Sequence, residues 1–188
     1  MAYSMEIERR FFIDGRLDKP WRNGSASSSI KQYYLRFENF SILSKFLYYQ
    51  EVKLAKLSDE EVKIISSSSD LISRIRIIDE KAIITMKGKR SHATALELEW
   101  IIDNQSAEEI TSLENLPHIE KTRYYWTGED DLIWEVDEFE GGLAGLILAE
   151  VELKDENQPV ILPPWLGMEL TGLSNWSNAS LANTLAND

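Results

Sequence analysis

Glu6-Ile7-Glu8-Arg9-Arg10 begins a rhythm of charge at alternate positions. It returns at Arg74-Ile75-Arg76, Glu97-Leu98-Glu99, Lys121-Thr122-Arg123, Glu135-Val136-Asp137 and Glu150-Val151-Glu152. In a β-strand, residues two apart point to the same side. Each stretch therefore carries a charged face and a largely apolar face. The signs are alike within a stretch and differ between stretches, so both signs are available to one shared space.

Three arrangements accommodate such strands. The charged faces can meet solvent around a sandwich core. The chain can form an outer-membrane barrel with a polar lumen. Or a soluble barrel can enclose the charges while helices and loops cover its outer face. The segregation of sign between strands favours the third, because a solvated face has no reason to sort its charges. Glu6/Glu8, Glu97/Glu99 and Glu150/Glu152 would repel at close range. Enclosed charges without partners cost several kcal/mol each, and basic strands and cations offset that cost.

Around these stretches the chain reads as strands over residues 5–13, 32–37, 71–79, 82–87, 94–103, 119–127, 132–139 and 146–154. Residues 14–29 read as a Gly-, Ser- and Pro-containing loop. Ser106-Ala107-Glu108-Glu109 reads as a cap and a short helix ending near Leu113, and residues 175–186 as a terminal helix. The segment 39–69 stays open between helix and strand: Ser41 to Leu47 could open a helix, Ser58-Asp59-Glu60-Glu61 resembles a helix start, and Glu51-Val52-Lys53-Leu54 alternates like a strand. Close spacing and hairpins favour an antiparallel sheet with few helices outside it. The expected fold is α+β, a closed eight-stranded antiparallel β-barrel, or tunnel, with a charged interior. Residues 1–188 are expected to form a single domain with an insertion at about 39–69.

Composition narrows the function. The 188 residues carry a net charge of −12 and no cysteine. That argues against non-specific nucleic-acid binding, which needs a basic face, and removes disulfides and thiolate sites. No apolar run is long enough for a membrane helix, so no membrane partner is expected. Met1-Ala2-Tyr3-Ser4-Met5-Glu6 lacks the features of a secretion signal, and the expected location is the cytoplasm. His92 and His118 have no metal-ligand spacing and read as ordinary residues. Met86-Lys87-Gly88-Lys89-Arg90 is no phosphate-binding loop, Gly141-Gly142 reads as a turn, and Trp165 and Trp176 read as packing residues.

A cavity lined by both signs suits a highly anionic ligand with its cations. Divalent Mg²⁺ or Mn²⁺ takes carboxylate oxygens together with water and phosphate, and paired glutamates on strands supply such oxygens. Arginine matches phosphate with a planar fork and lysine with a point charge, so Arg74, Arg76, Lys87, Lys121 and Arg123 together would hold a chain of phosphates. Phosphoryl transfer needs mainly positioning and charge neutralisation, with water as nucleophile and no protein nucleophile.

These residues resemble the CYTH superfamily, the triphosphate tunnel metalloenzymes. The likeness starts at an ExExK-like Glu6-Ile7-Glu8-Arg9-Arg10. It continues in order through Gln32-Tyr33-Tyr34-Leu35, Arg74-Ile75-Arg76, Thr85-Met86-Lys87-Gly88, Glu97-Leu98-Glu99, Glu120-Lys121-Thr122-Arg123-Tyr124, Trp134-Glu135-Val136-Asp137, Ala149-Glu150-Val151-Glu152-Leu153 and Pro164-Trp165-Leu166-Gly167-Met168-Glu169-Leu170-Thr171. The resemblance implies an eight-stranded tunnel that binds a triphosphate with Mg²⁺ or Mn²⁺. It implies Glu6, Glu8, Glu150 and Glu152, with Asp137, as metal ligands, and Arg74, Arg76, Lys87, Lys121 and Arg123 as phosphate ligands. It gives catalytic roles to Arg10 and Tyr34, and puts Glu97, Glu99, Glu135 and Glu169 on the tunnel lining. Arg10 stands where the family has lysine, and Ala95 where many members have arginine. The expected activity is hydrolysis of a triphosphate, inorganic triphosphate first. The alternatives are a class IV-type adenylate cyclase forming cyclic AMP from ATP, or a non-catalytic triphosphate-binding protein. A homodimer is compatible with this reading.

Overall fold

The computed structural model describes residues 3–69, 71–88 and 94–187. The elements in chain order are β1 (Tyr3–Phe12), β2 (Ala26–Leu35), β3 (Phe40–Leu43), β4 (Phe46–Tyr49), β5 (Val52–Lys56), α1 (Asp59–Ser67), β6 (Ile72–Ile78), β7 (Lys81–Lys87), β8 (Thr94–Ile102), α2 (Asn104–Leu113), β9 (His118–Thr127), β10 (Ile133–Phe139), β11 (Ile147–Glu152) and α3 (Asn178–Asn187). Eight strands pair antiparallel in the order β1-β11-β10-β9-β2-β6-β7-β8. The sheet curls into a tunnel-like form, and Tyr3–Ile7 of β1 stand in register with Leu98–Thr94 of β8. His92 lies outside the described residues. Among those residues no helix is long and apolar enough to cross a membrane.

The apolar alternate faces of the strands point outward, and two of the three hydrophobic clusters lie outside the tunnel. Ile75, Ile84, Met86, Leu98 and Ile102 form one outer face. It is covered by Leu47, Tyr49, Val52 and Leu54 of the β3–β5 meander, Ile65 of α1, and Ala107 and Ile110 of α2. Phe11, Trp134, Val136, Ala149 and Val151 form a second face, covered by Ile13, Trp21 and Trp165. The two tryptophan rings of that cover lie 5.0 Å apart, so Trp165 is a packing residue.

The open segment 39–69 is both strand and helix. Ser41 to Leu47 is a hairpin because Ser44 and Lys45 take φ of 50° and 64°, the left-handed pair that turns antiparallel strands tightly. Ser58 starts α1 with reciprocal bonds: its Oγ accepts from the Glu61 amide at 3.2 Å, and its own amide donates to Glu61 Oε2 at 2.6 Å. Glu61 Oε1 also accepts from Trp100 Nε1 at 2.9 Å, which ties α1 to β8.

Two expected boundaries move. The serine-rich end of the 14–29 loop is strand from Ala26 onward, where it pairs with Tyr125 to Thr122 of β9. The α2 helix starts at Asn104 rather than after Ser106, because the Asp103 carboxylate accepts from the Ser106 amide at 2.8 Å and caps it first.

Candidate active site

The register sets inward-facing residues of neighbouring strands side by side. Arg10 faces Glu150, Glu150 faces Glu135, Asp137 faces Arg123, Gln32 faces Arg76, Arg74 faces Thr85, and Lys87 faces Glu97. Apart from the fully buried Asp137 and Thr85, these positions line a cavity of about 260 Å³ together with Glu6, Glu8, Glu99, Lys121, Glu152, Ile30, Ile78, Tyr125 and Asn178. Most of the residues expected there are thus brought together.

The strand order sorts the charges into two opposed arcs. The strands β8, β1, β11 and β10 are neighbours and bring Glu97, Glu99, Glu6, Glu8, Glu150, Glu152, Glu135 and Asp137. The strands β9, β2, β6 and β7 are neighbours and bring Lys121, Arg123, Gln32, Arg74, Arg76 and Lys87. Arg10 is the cation within the acidic arc, and it bonds the acids around it.

Ion pairs cross between the arcs. Lys87 Nζ donates to Glu6 at 2.7 and 2.9 Å and lies 3.2 Å from Glu97. Arg76 bonds Glu99 at 2.7 Å, whose carboxylate also accepts from Thr85 Oγ1 at 2.8 Å. Arg123 holds Asp137 through Nε at 2.6 Å and Nη2 at 2.7 Å, and also bonds Glu135. Lys121 bonds Asp137 through its ammonium. Arg10 bonds through all three of its nitrogens: Nε donates to Glu150 at 2.5 Å, Nη2 to Glu8 at 3.0 Å and Nη1 to the Trp176 carbonyl at 2.9 Å.

Burial and crowding set the proton affinities. Burial pushes the Lys121 ammonium down to about 8 against the pull of Asp137. Burial, then the neighbouring Arg74, pushes Arg76 below its usual range, with Arg123 adding to the effect. Burial alone would raise Glu150, but Arg10 and Arg123 outweigh it and hold the carboxyl far below the ordinary range. Glu152 is raised by its partial burial and by repulsion from Glu135, Glu6 and Glu8. Arg74 Nε and Arg76 Nε are buried without a hydrogen-bond partner.

Three expected site residues stand elsewhere. Glu169 lies outside the tunnel and takes Arg9 in a fork at 2.8 Å on both oxygens. It follows Arg9, which alternates with the inward Glu8 and Arg10 and so faces outward. Asp137 sits behind the lining, only 1% exposed under Lys121 and Arg123. Tyr34 is in the floor, its hydroxyl accepting from Gln32 Nε2 and pushed up to about 12 by burial. Burial works against the Arg10 charge, but Glu150 and Glu8 outweigh it and reinforce that charge. Neither Tyr34, held protonated, nor Arg10 is suited to take a proton at neutral pH.

The floor is made by the strands themselves. Inward positions pass from polar to apolar in one step: Arg10 to Phe12, Glu150 to Leu148, Asp137 to Phe139, Lys121 to Ile119 and Gln32 to Tyr34. These apolar residues pack with Leu170 and with Trp176, Ala179, Ala182 and Leu185, which belong to α3 and the turn before it. Gln32 and Thr85 were legible by parity, two places before Tyr34 and Lys87, yet were not singled out. Asn178 lines the cavity with no signal in the sequence.

Among the described residues no three acids are gathered as a ready-made metal site. The donor chemistry nevertheless fits a divalent cation: the acidic arc offers hard carboxylate oxygens, and the mutual repulsion that raises Glu152 is of the kind a cation relieves.

No protein-family model matches the chain. An inorganic triphosphatase of Acetivibrio thermocellus is 41% identical over 109 residues, 57% of this chain and 69% of that protein. An inorganic triphosphatase of Nitrosomonas europaea is 42% identical over 66 residues, 34% of this chain and 44% of that protein. The crystal structure of an inorganic triphosphatase aligns with a TM-score of 0.58 at 26% identity, covering 94% of this chain and 97% of that one.

Proposed function

The chain belongs to the CYTH superfamily of triphosphate tunnel enzymes, and from that membership we propose that it hydrolyses inorganic triphosphate between the two charged arcs of its tunnel. The observation that carries this reading is the sorting of basic and acidic strands onto opposite sides of one cavity. The relatives are triphosphatases, which favours hydrolysis over cyclisation of ATP.

In this reading Arg74, Arg76, Lys87, Lys121 and Arg123 bind and orient the phosphate chain. The partnerless Nε groups of Arg74 and Arg76 support that role, since buried donors are normally satisfied. Glu6, Glu8, Glu150 and Glu152 would hold a divalent cation, Mg²⁺ or Mn²⁺, and Asp137 would steady Lys121 and Arg123 behind them. The bound cation would neutralise phosphate charge and activate the attacking water. Arg10 positions Glu8 and Glu150 through its fork, a task that an arginine performs in place of the family's lysine.

The same proposal takes the tunnel as fully closed, supported by the five register pairs between β1 and β8. It takes the chain as one domain, with residues 39–69 an insertion over the outer face of β6, β7 and β8. It keeps the cytoplasmic location. A homodimer is a further proposal, decided by sedimentation of the purified chain.

The test is phosphate release from inorganic triphosphate by the purified protein with Mg²⁺ and with Mn²⁺. The expected result is release by the wild type and loss by Glu6→Ala. Release no greater than that of Glu6→Ala with either ion overturns the reading.

A further inference from the structure

Arg10 is a cation set among acids, and the chain holds it there from several sides. Its side chain is 11% exposed. The guanidinium spans two strands: Nε reaches Oε1 of Glu150 on β11 at 2.5 Å, and Nη2 reaches Oε1 of Glu8 on β1 at 3.0 Å. Nη1 donates to the Trp176 carbonyl at 2.9 Å. The main chain is pinned as well. The Arg10 amide donates to Thr171 Oγ1 at 3.0 Å, and its carbonyl accepts from the Leu170 amide at 2.7 Å. A planar fork anchored in this way does not swing aside as a lysine ammonium can.

The anchor sets the guanidinium at one end of the acidic arc. Along β1 the inward residues run from Glu6 through Glu8 to Arg10, and the next one, Phe12, packs in the apolar floor. In register Arg10 faces Glu150, and Glu8 faces Glu152. The other oxygen of Glu150 lies 3.4 Å from Nη2 of Arg123, which also bonds Asp137. At the floor end, then, the chain supplies its own positive charge. Glu152 has the opposite surroundings: the charges acting most strongly on it are Glu135, Glu6, Glu8 and Glu97, all acids. A divalent ion at Glu8 and Glu150 would have to displace a guanidinium held by three hydrogen bonds, or sit against its charge. No such obstacle stands at Glu152.

We infer that Arg10 is a built-in cation that fills one cation position of the acidic arc, so that the tunnel takes a single divalent ion, gathered around Glu152, where the same arc without the guanidinium would take two. The inference rests on the reading of this arc as the holder of the divalent cation and deepens it. Arg10 acts here as a positioning residue: by occupying Glu8 and Glu150 it decides where the ion goes and how many enter.

The experiment counts Mn²⁺ on the purified full chain, without phosphate, from the paramagnetic resonance of the free aquo ion. Wild type, Arg10→Met, Arg10→Lys and Glu152→Gln are compared, and each is melted in EDTA and in Mn²⁺. The wild type should bind one ion, and Glu152→Gln should weaken it by roughly tenfold or more. Arg10→Met should bind two, because Glu8 and Glu150 lose their fork and repel each other. It should melt below the wild type in EDTA and rise further than the wild type when Mn²⁺ is added. Arg10→Lys, with a point charge in place of the fork, should take the second ion more weakly than Arg10→Met. A purely structural Arg10 would lower the melting temperature without adding an ion. Any wild-type count other than one overturns the inference whether or not the variants fold, as does a single ion on folded Arg10→Met. If Arg10→Met does not fold, a second ion on Arg10→Lys supports the inference and its absence overturns it. Counts in the expected pattern from protein that releases no phosphate overturn the hydrolysis reading and leave Arg10 as the resident cation. Phosphate release with any other counts overturns the inference alone.

Discussion

Lys121 shows most plainly what the enclosed lattice asks of a single residue. It is 2% exposed, stands against Asp137, and is pushed down to about 8 by its burial. An unfolded lysine titrates near 10.4. Between about pH 8 and 10.4 the unfolded chain holds the proton that the folded chain has released, so this residue makes the fold more stable as pH rises through that window. Below it the cost of burying the charge is carried in full. Phosphate binding runs the other way, since the ammonium is the ligand. At pH 7, Lys121→Met should weaken triphosphate by roughly tenfold relative to wild type. The ratio of the two affinities should shrink as pH climbs past 8, because the wild type loses the same charge. Comparing the two proteins at each pH removes the substrate's own titration. A ratio constant from pH 7 to 9.5 would contradict this account of Lys121.

At the scale of elements, what was legible followed from local chemistry and what was missed depended on partners. Alternating charge located β1, β6, β8, β9, β10 and β11, and Ser58 to Glu61 resembled the helix start that α1 turned out to have. Composition misled at the start of β2: Ala26-Ser27-Ser28-Ser29 has the make-up of a loop, but the β9 edge supplies a ladder for its backbone. Asp103 and Ser106 are both good capping residues, and the earlier one won by accepting the later one's amide. The meander hid because its hairpin turns on Ser44 and Lys45, neither of them glycine. Because α1 lies on the outer cover, its cap can be tested apart from the site. Ser58→Ala should cost about 1 kcal/mol, a drop of roughly 2–4 °C in melting temperature for a chain of this size, with phosphate release unaffected. Calorimetric melting and the release assay measure the two together, and a fall in release matching the fall in stability would contradict the separation.

Across the whole molecule, the inward charges were foreseeable but their sorting was not. Parity told which side chains share a face; it could not tell that β11 lies between β10 and β1 while β9 neighbours β2. Only the strand order gathers the acids into one arc and the bases into the other. Glu169 was misassigned because its motif carried no strand, and hence no parity, to say that it follows the outward Arg9. Asn178 escaped because its place depends on how α3 crosses the floor. The central claim is that a triphosphate lies between the arcs. Diffraction from crystals soaked with inorganic triphosphate and Mn²⁺ measures this directly. The account predicts three phosphorus peaks beside Arg74, Arg76, Lys121 and Arg123, with manganese toward Glu6, Glu8, Glu150 and Glu152. Triphosphate bound on the outer surface, with the ion pairs of the tunnel undisturbed, would contradict it.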